Sequence, residues 1–283
     1  MQTVSPYQVI KASGEKEDFS EEKIVKSLAA SGMNVDTAAQ TLDYLKRHVK
    51  PGITTHEIFG QVSGYLKETS RRDYINYGLK RAFMRLGPSG HPFERYMGDL
   101  LEKFGYETQV SVSLGGECVT HEIDCIAVKG DQTSFIECKY HNAPGTKTDV
   151  QVVMYTYARF LDIEKSMKAL FDSQKTYQPW VVTNTKLTFD AINYAKCIGI
   201  KATAWSFPKD ECLHEMIVNS GLHPVTVIDT LTDDKLQRLL ERDIVTCFRL
   251  MKAIENESVS DILTPTEIEH AKEDIQLICK NNG

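Results

Sequence analysis

Residues 133–141 read TSFIECKYH, and the rest of the chain is understood outward from them. Phe135 and Ile136 are strand formers that run directly into a carboxylate, Glu137, with an ammonium, Lys139, two positions later. Side chains of an extended segment alternate between faces. Glu137 and Lys139 therefore project to one side, and Ile136 and Cys138 to the other, where a core would lie. A solvated strand face with a weak ion pair is the plain reading of such a window. The preceding sequence supplies another. HEIDCIAVK (121–129) is a second extended segment, joined to the first by a tight turn around Gly130-Asp131, and strands so joined pair antiparallel. Asp124 and Glu137 lie equally far from that turn, which puts them side by side, with Cβ atoms roughly 5 Å apart. Two carboxylates that close repel unless a cation joins them. A hard divalent ion with oxygen ligands fits, Mg²⁺ by default or Mn²⁺.

The surrounding segments give this pair a fold. FERYMGDLLEKFGY is an amphipathic helix, ETQVSVSL a strand, DVQVVMYTYARFLDIEKSMKALF a helix, and PWVVTNT a buried strand. TFDAINYAKCIG is a helix capped by Thr188 and stopped by Gly199, and IKATAWSF is a last strand. The order α-β-β-β-α-β-α-β over 93–207 predicts an α/β (α+β) domain, a mixed sheet flanked by helices. LGPSGHP (86–92) is dense in Gly and Pro and reads as a linker. Before it, a short strand at Tyr7–Lys11, a Ser13-Gly14 turn and several capped helices suggest a small hairpin on a helical bundle. Ser20 is one of those caps, and Thr54 with Glu57 forms a capping box. From about 209 the chain is helical again, with two short helices around Arg242-Asp243 and a last one opened by Thr264, Pro265 and Glu267. The expected units are 1–88, 89–208 and 209–283.

With 283 residues the chain is long enough for two or three domains. Its 33 Lys+Arg against 39 Asp+Glu give a net charge of −6, which argues against a protein coated in basic surface but leaves room for a local basic groove. The 7 cysteines show no CxxC pair and no zinc-type spacing; most sit in apolar runs, as reduced thiols do. MQTVSPYQVIKASGEKEDF has no apolar leader core and no run approaches membrane-spanning length. A reducing, cytoplasmic compartment and no membrane are expected.

In order and spacing, FERYMGDLLEKFGY, HEIDCIAVKG, FIECKYH and WVVTNTKLTFDAINYAKCIGI resemble the Mrr-like restriction endonucleases of the PD-(D/E)xK superfamily, over 91–208. The resemblance implies a restriction-endonuclease-like sheet and metal-dependent hydrolysis of DNA phosphodiester bonds. It assigns Glu94 as the acid of the first helix, Asp124 and Glu137 as metal ligands, Lys139 as the basic partner, and Gln151 as a polar residue of the following helix. Ile123 stands where the motif commonly has Pro. Glu94 has a second reading, an acid favoured by a helix dipole. His121 and His141 lie near the cluster and are read as incidental.

VIKASGEKEDFSEEKIVKSLAASG, with GITTHEI and YINYGLKRAF, resembles an ATP-cone over about 7–86. That resemblance implies ATP or dATP as effector, at Val9, Lys11, Glu17, Ser20, Lys23 and Thr55, with Lys80 and Arg81 adding positive charge. Lys11-Ala12-Ser13-Gly14 lacks the arginine usual at the second position. A docking module that binds no nucleotide is the other reading. LTDDKLQRLLERDIV resembles, faintly, helix-hairpin-helix modules; a plain helical cap on the sheet is the alternative. The expectation for the whole chain is a metal-dependent DNA endonuclease, with DNA, a nucleotide effector and further copies of the chain as partners. Its rival is a non-catalytic, nucleotide-responsive DNA- or protein-binding regulator on a nuclease fold.

Overall fold

A computed structural model describes residues 7–11, 13–170 and 175–279. Ala12, where the arginine is missing, and the side chain of Cys279 lie outside the described residues. The chain opens with β1 (Gln8–Ile10) paired antiparallel to β2 (Lys16–Asp18), followed by α1 (Glu21–Ala30), α2 (Val35–His48), α3 (Thr55–Thr69) and α4 (Arg71–Phe83). The caps fall where the sequence puts them. Ser20 Oγ accepts from Lys23 N at 3.3 Å, and Thr54 and Glu57 close a capping box. Val9, Leu28, Leu45, Ile58, Val62 and Leu66 bury against one another, so the hairpin does sit on a helical bundle.

The next elements are α5 (His91–Lys103), β3 (Glu107–Gly115), β4 (Thr120–Lys129), β5 (Gln132–Lys139), β6 (Lys147–Thr148), α6 (Val150–Leu170), β7 (Thr176–Thr183), β8 (Lys186–Leu187), α7 (Phe189–Ile198) and β9 (Lys201–Thr203). Five of these strands form one mixed sheet in the order β3-β4-β5-β7-β9. The first three pair antiparallel through tight turns, and β7 and β9 join parallel after the α6 and α7 crossovers. Gly130 leads the β4–β5 turn at φ 58°, the position a type II′ hairpin reserves for glycine. β6 and β8 form a separate two-stranded parallel ribbon.

One face of the sheet is covered by α5, through Phe93, Met97, Leu100 and Leu101. The other is covered by α6 and α7, through Val153, Phe160, Ile163 and Ala191. The close seat of α5 needs Gly98, where a Cβ would come within 2.8 Å of the Val110 side chain. Among the described residues no helix is long and apolar enough to cross a membrane. Among the described residues the cysteines form no disulfide, and Cys125, Cys138, Cys212 and Cys247 are buried.

The C-terminal region adds α8 (Leu213–Ser220), a 3₁₀ turn at Val225–Val227, α9 (Asp233–Leu240), α10 (Cys247–Glu255) and α11 (Pro265–Cys279). Thr264 and Glu267 cap α11 reciprocally, as their spacing suggests. These helices share a single continuous core with α4, α5 and the sheet. The stretch 86–92, read as a linker, contains the fully buried Leu86 of that core. Arg71 of α4 bridges Asp229 at 2.5 Å and Asp274 at 2.7 Å, tying the N-terminal bundle to the C-terminal helices. Phe83 lies edge-on to Phe93, Tyr96 and Trp205 with ring centroids 6.4, 4.7 and 5.6 Å away. Phe83→Ala removes that keystone. A loss of about 3–5 kcal/mol is expected by urea unfolding, with loss of helix and of tryptophan signal in one transition. Two separated transitions would show that the regions do not depend on the shared core.

Candidate active site

The site forms where two strands part. β4 and β5 pair from Lys129↔Gln132 to Cys125↔Ile136, and the next step of that register sets Asp124 opposite Glu137. Here the backbone ladder stops. Asp124 Oδ2 instead accepts the hydrogen bond from Cys138 N, at 2.7 Å. β5 keeps its partner on the other side as far as Lys139↔Thr183. On β3, the residue facing Asp124 in register is Ser111, held at φ 55°. A non-glycine residue in that region is strained and often marks a functional site. The strands also turn over at this point. Val110 and Cys125 pack on the α5 side, whereas Leu114 and Ile123 pack on the α6 side.

Ile136 and Cys138 enter the main core, as alternation requires, and Glu137 faces α6. Tyr155 donates its hydroxyl to Glu137 Oε1 at 2.6 Å, and Arg159 Nη1 donates to Oε2 at 2.6 Å. The Arg159 guanidinium lies 5.5 Å from the Tyr155 ring. Glu94 comes from the first turn of α5, and its Oε2 accepts from Ser111 Oγ at 3.4 Å. Burial, reinforced by the charge of Glu137, pushes the Asp124 carboxyl up to about 7. Burial also raises Glu94, with Glu122 and Glu137 adding to the effect. The structure therefore brings Glu94, Asp124 and Glu137 into one electrostatically coupled group.

Lys139 is partly exposed beyond them. Among the described residues its side chain makes no hydrogen bond or ion pair, and its charge is felt by His141. The backbone just after it is pinned by buried Asn184, whose Oδ1 accepts from His141 N at 2.9 Å and whose Nδ2 donates to His141 O at 2.8 Å. Gln151 is exposed at the start of α6, its N–H bonded to Asp149 Oδ1 at 3.1 Å, and its side chain does not join the acidic group. An open groove of about 510 Å³ runs beside Tyr155 and Arg159, walled by His121 and Asp162. His121 Nε2 lies 2.8 Å from Asp162 Oδ2, and Asp162 also accepts from Cys118 N at 2.9 Å, clamping the β3–β4 turn onto α6. A Cβ at Gly116 would meet Asp162 Oδ2 at 2.1 Å, so this clamp needs glycine.

Sequence reasoning missed Tyr155, Arg159, Ser111 and Asn184. The first two carried a signal: Gln151, Tyr155 and Arg159 recur every fourth residue, so one polar stripe runs along the mostly apolar first half of the helix. In the N-terminal module, Val9 is buried and Thr55 is the exposed first residue of α3. Lys11 and Lys23 both pair with Glu17, at 2.9 and 2.7 Å, beside the Ser20 cap. Lys80 and Arg81 lie elsewhere on α4, with Arg81 stacked 3.4 Å over the Phe59 ring and Lys80 turned towards Trp205.

The donor set suits a hard divalent cation. Asp124, half-buried, and Glu137, buried, are adjacent and mutually repelling, and their donors are all oxygens. Among the described residues, no three His, Cys, Asp or Glu side chains converge closely enough to hold a metal alone. The two carboxylates would be completed by water or by substrate oxygens.

Comparison with known proteins bears on the fold and the family. A family model described as restriction endonuclease (Mrr_cat) matches residues 87–205, and one described as AF1548-like, C-terminal, matches residues 223–279. An uncharacterized protein of Archaeoglobus fulgidus is 40% identical over 157 residues, which is 56% of this chain and 84% of that protein. The solved crystal structure of a protein of unknown function, AF1548, superposes with a TM-score of 0.56 at 35% identity, covering 68% of this chain and 100% of that one.

The raised Asp124 carboxyl makes stability depend on pH with a definite sign. Its native value, about 7, lies above the ordinary 3.8, so the folded state holds the proton more tightly than the unfolded one. The stability it contributes is present below the ordinary value and is lost as pH rises towards 7. Asp124→Asn keeps an acceptor for Cys138 N and removes the charge. In chelator, the variant is expected to match the parent near pH 4, to gain on it progressively from there to pH 7, and to keep a constant advantage above. Thermal unfolding over that pH range checks this, and a pH-independent difference would contradict it.

Proposed function

As the chain belongs to the AF1548-like family and carries a restriction-endonuclease domain over residues 87–205, we propose that it is a metal-dependent DNA endonuclease, Mrr-like in its chemistry. The observation that carries this reading is the juxtaposition of Asp124 and Glu137 at the parting of β4 and β5, with Lys139 two residues further along β5. A phosphodiester resists attack because its own oxygens repel a nucleophile. A divalent cation held by Asp124 and Glu137, Mg²⁺ or Mn²⁺, supplies a Lewis acid for a phosphoryl oxygen and a bound water of lowered pKa.

The remaining work belongs to this chain's side chains. Lys139, without a counter-ion of its own, stabilises charge developing on the phosphate oxygens and orients the attacking water. Asn184 fixes the backbone that carries Lys139. Glu94 accepts a hydrogen bond from water or from Lys139 on the α5 side of the opening. Arg159 and Tyr155 balance Glu137 in the metal-free protein and set its carboxylate plane. The residues of β1, β2, α1 and α3 suit an ATP or dATP effector through Lys11, Lys23 and Glu17, with Val9, Ser20 and Thr55 beside them. In that case a nucleotide's phosphates replace Glu17 as partner of the two ammoniums.

Cleavage of plasmid and linear duplex DNA with Mg²⁺ or Mn²⁺ tests the enzyme reading. Asp124→Ala and Lys139→Ala are each expected to lose at least about 10²-fold in rate. Equal cleavage by the parent and both variants would remove the site. A parent that binds DNA but never cuts it would favour the non-catalytic regulator. Equilibrium binding of ATP and dATP, with solution mass measured alongside, tests the effector; no binding and no change in mass would take nucleotide out of the reading.

A further inference from the structure

Away from the carboxylates the structure gathers lysines that have no counter-charge. Lys80 of α4 is half-buried against the nuclease domain, its Nζ 5.9 Å from the centre of the Trp205 ring. Burial lowers its pKa, and a like charge, Lys186, adds to the effect. Lys186 of β8 is the register partner of Lys147 of β6, so both exposed side chains leave the same face of that ribbon. Trp205 N donates to Thr185 O at 2.9 Å, which seats the ribbon beside Lys80. At its other end, Thr148 Oγ1 lies 3.0 Å from His141 Nε2, and His141 feels the charge of Lys139. Lys139, His141, the β6–β8 ribbon with Lys147 and Lys186, and Lys80 thus lie along one side of the domain, linked by the Thr148–His141 and Trp205–Thr185 bonds.

A carboxylate, Asp149, acts on His141 beside this line. Its Oδ1 is already engaged, accepting from Gln151 N at 3.1 Å and Val152 N at 3.3 Å at the start of α6. In a chain of net charge −6, cations segregated from acids along one path, one of them desolvated, suit a polyanion that brings its own charge. We propose that Lys80, Lys147 and Lys186 form a track for the DNA phosphate backbone, leading from the cleavage centre onto the N-terminal bundle, so that this bundle takes part in gripping the substrate. The proposal rests on the endonuclease reading and adds to it where the substrate runs.

The test is equilibrium binding of a fluorescent 20-base-pair duplex in chelator, over a salt series. The Lys80→Gln/Lys147→Gln/Lys186→Gln protein is expected to bind more weakly at low salt. Its slope of log K against log[salt] is expected to be shallower by about 2–3, the effect of roughly three phosphate contacts. The exposed pair Lys147→Gln/Lys186→Gln, which leaves the interior untouched, should account for about two-thirds of that change. Lys272→Gln, paired only with Glu269 on α11, should keep the parent slope. Parent slope and affinity in both the triple and the double variant would overturn the track. So would loss of ATP binding with DNA binding unchanged, which would assign these lysines to a nucleotide. Cleavage of the same duplex with Mg²⁺ separates the two ideas. A parent that cleaves while the variants keep its slope ends the track alone, and a parent that neither binds nor cleaves DNA ends the endonuclease reading with it.

Discussion

Two carboxylates set opposite each other in a sheet cannot share a regular ladder with their neighbours and stay uncompensated. Most of the local structure around residues 111–159 is arranged about that constraint. The β4–β5 ladder ends one step before the pair, and the Asp124 side chain takes the N–H of Cys138 that a backbone carbonyl would have taken. Helix α6 brings a guanidinium and a phenol to both oxygens of Glu137. Among the described residues Asp124 has no cation bonded to it; Arg159 acts on it only at a distance, and burial beside Glu137 raises it. The asymmetry matters chemically. One carboxylate is balanced from within, and the other is left short of positive charge.

Holding repelling groups in place requires a scaffold stiff enough not to relax. Trp180 and Val182 of β7 and Ile136 of β5 lie in the same continuous core as α4, α5 and α11. The C-terminal helices therefore act as a brace on the α5 side of the sheet, with Arg71 tying α4 to Asp229 and Asp274. Leu86 and Phe83, next to the Gly/Pro-dense stretch, are interior residues of that brace. A stretch rich in turn formers marks a change of direction, and its burial depends on what packs around it, which composition does not report.

The central features were legible because they rest on period and register. Alternation along 133–141 and the equal distance of Asp124 and Glu137 from Gly130 fix which side chains meet, and both follow from strand geometry alone. Caps at Ser20, Thr54, Thr188 and Thr264 were equally readable, since each depends on residues within one turn. Ser111, Asn184 and the Arg159–Glu137 bond were not. Each joins positions distant in sequence, and nothing local distinguishes a strained serine on β3 or an asparagine pinning His141 from ordinary surface residues. Gln151 shows the converse. Its position in the resembled motif pointed to the site, while the stripe it begins reaches Glu137 only one and two turns later, at Tyr155 and Arg159.

Lysines in the N-terminal bundle look alike in sequence, and counter-charge sorts them. Lys11 and Lys23 converge on Glu17 in exposed pairs, which contribute little to stability and exchange readily for another anion. Lys80 has no acid to exchange. It is held against Trp205 with Lys186 as its charged neighbour, an arrangement that disfavours the ammonium until an anion arrives. The first pair suits a small ligand that competes with a carboxylate. The second suits a ligand that spans two regions of the chain, because the missing charge is shared between α4 and the β6–β8 ribbon. A polyanion laid from Lys139 to Lys80 meets that condition, whereas a compact triphosphate confined to the hairpin end of the bundle does not.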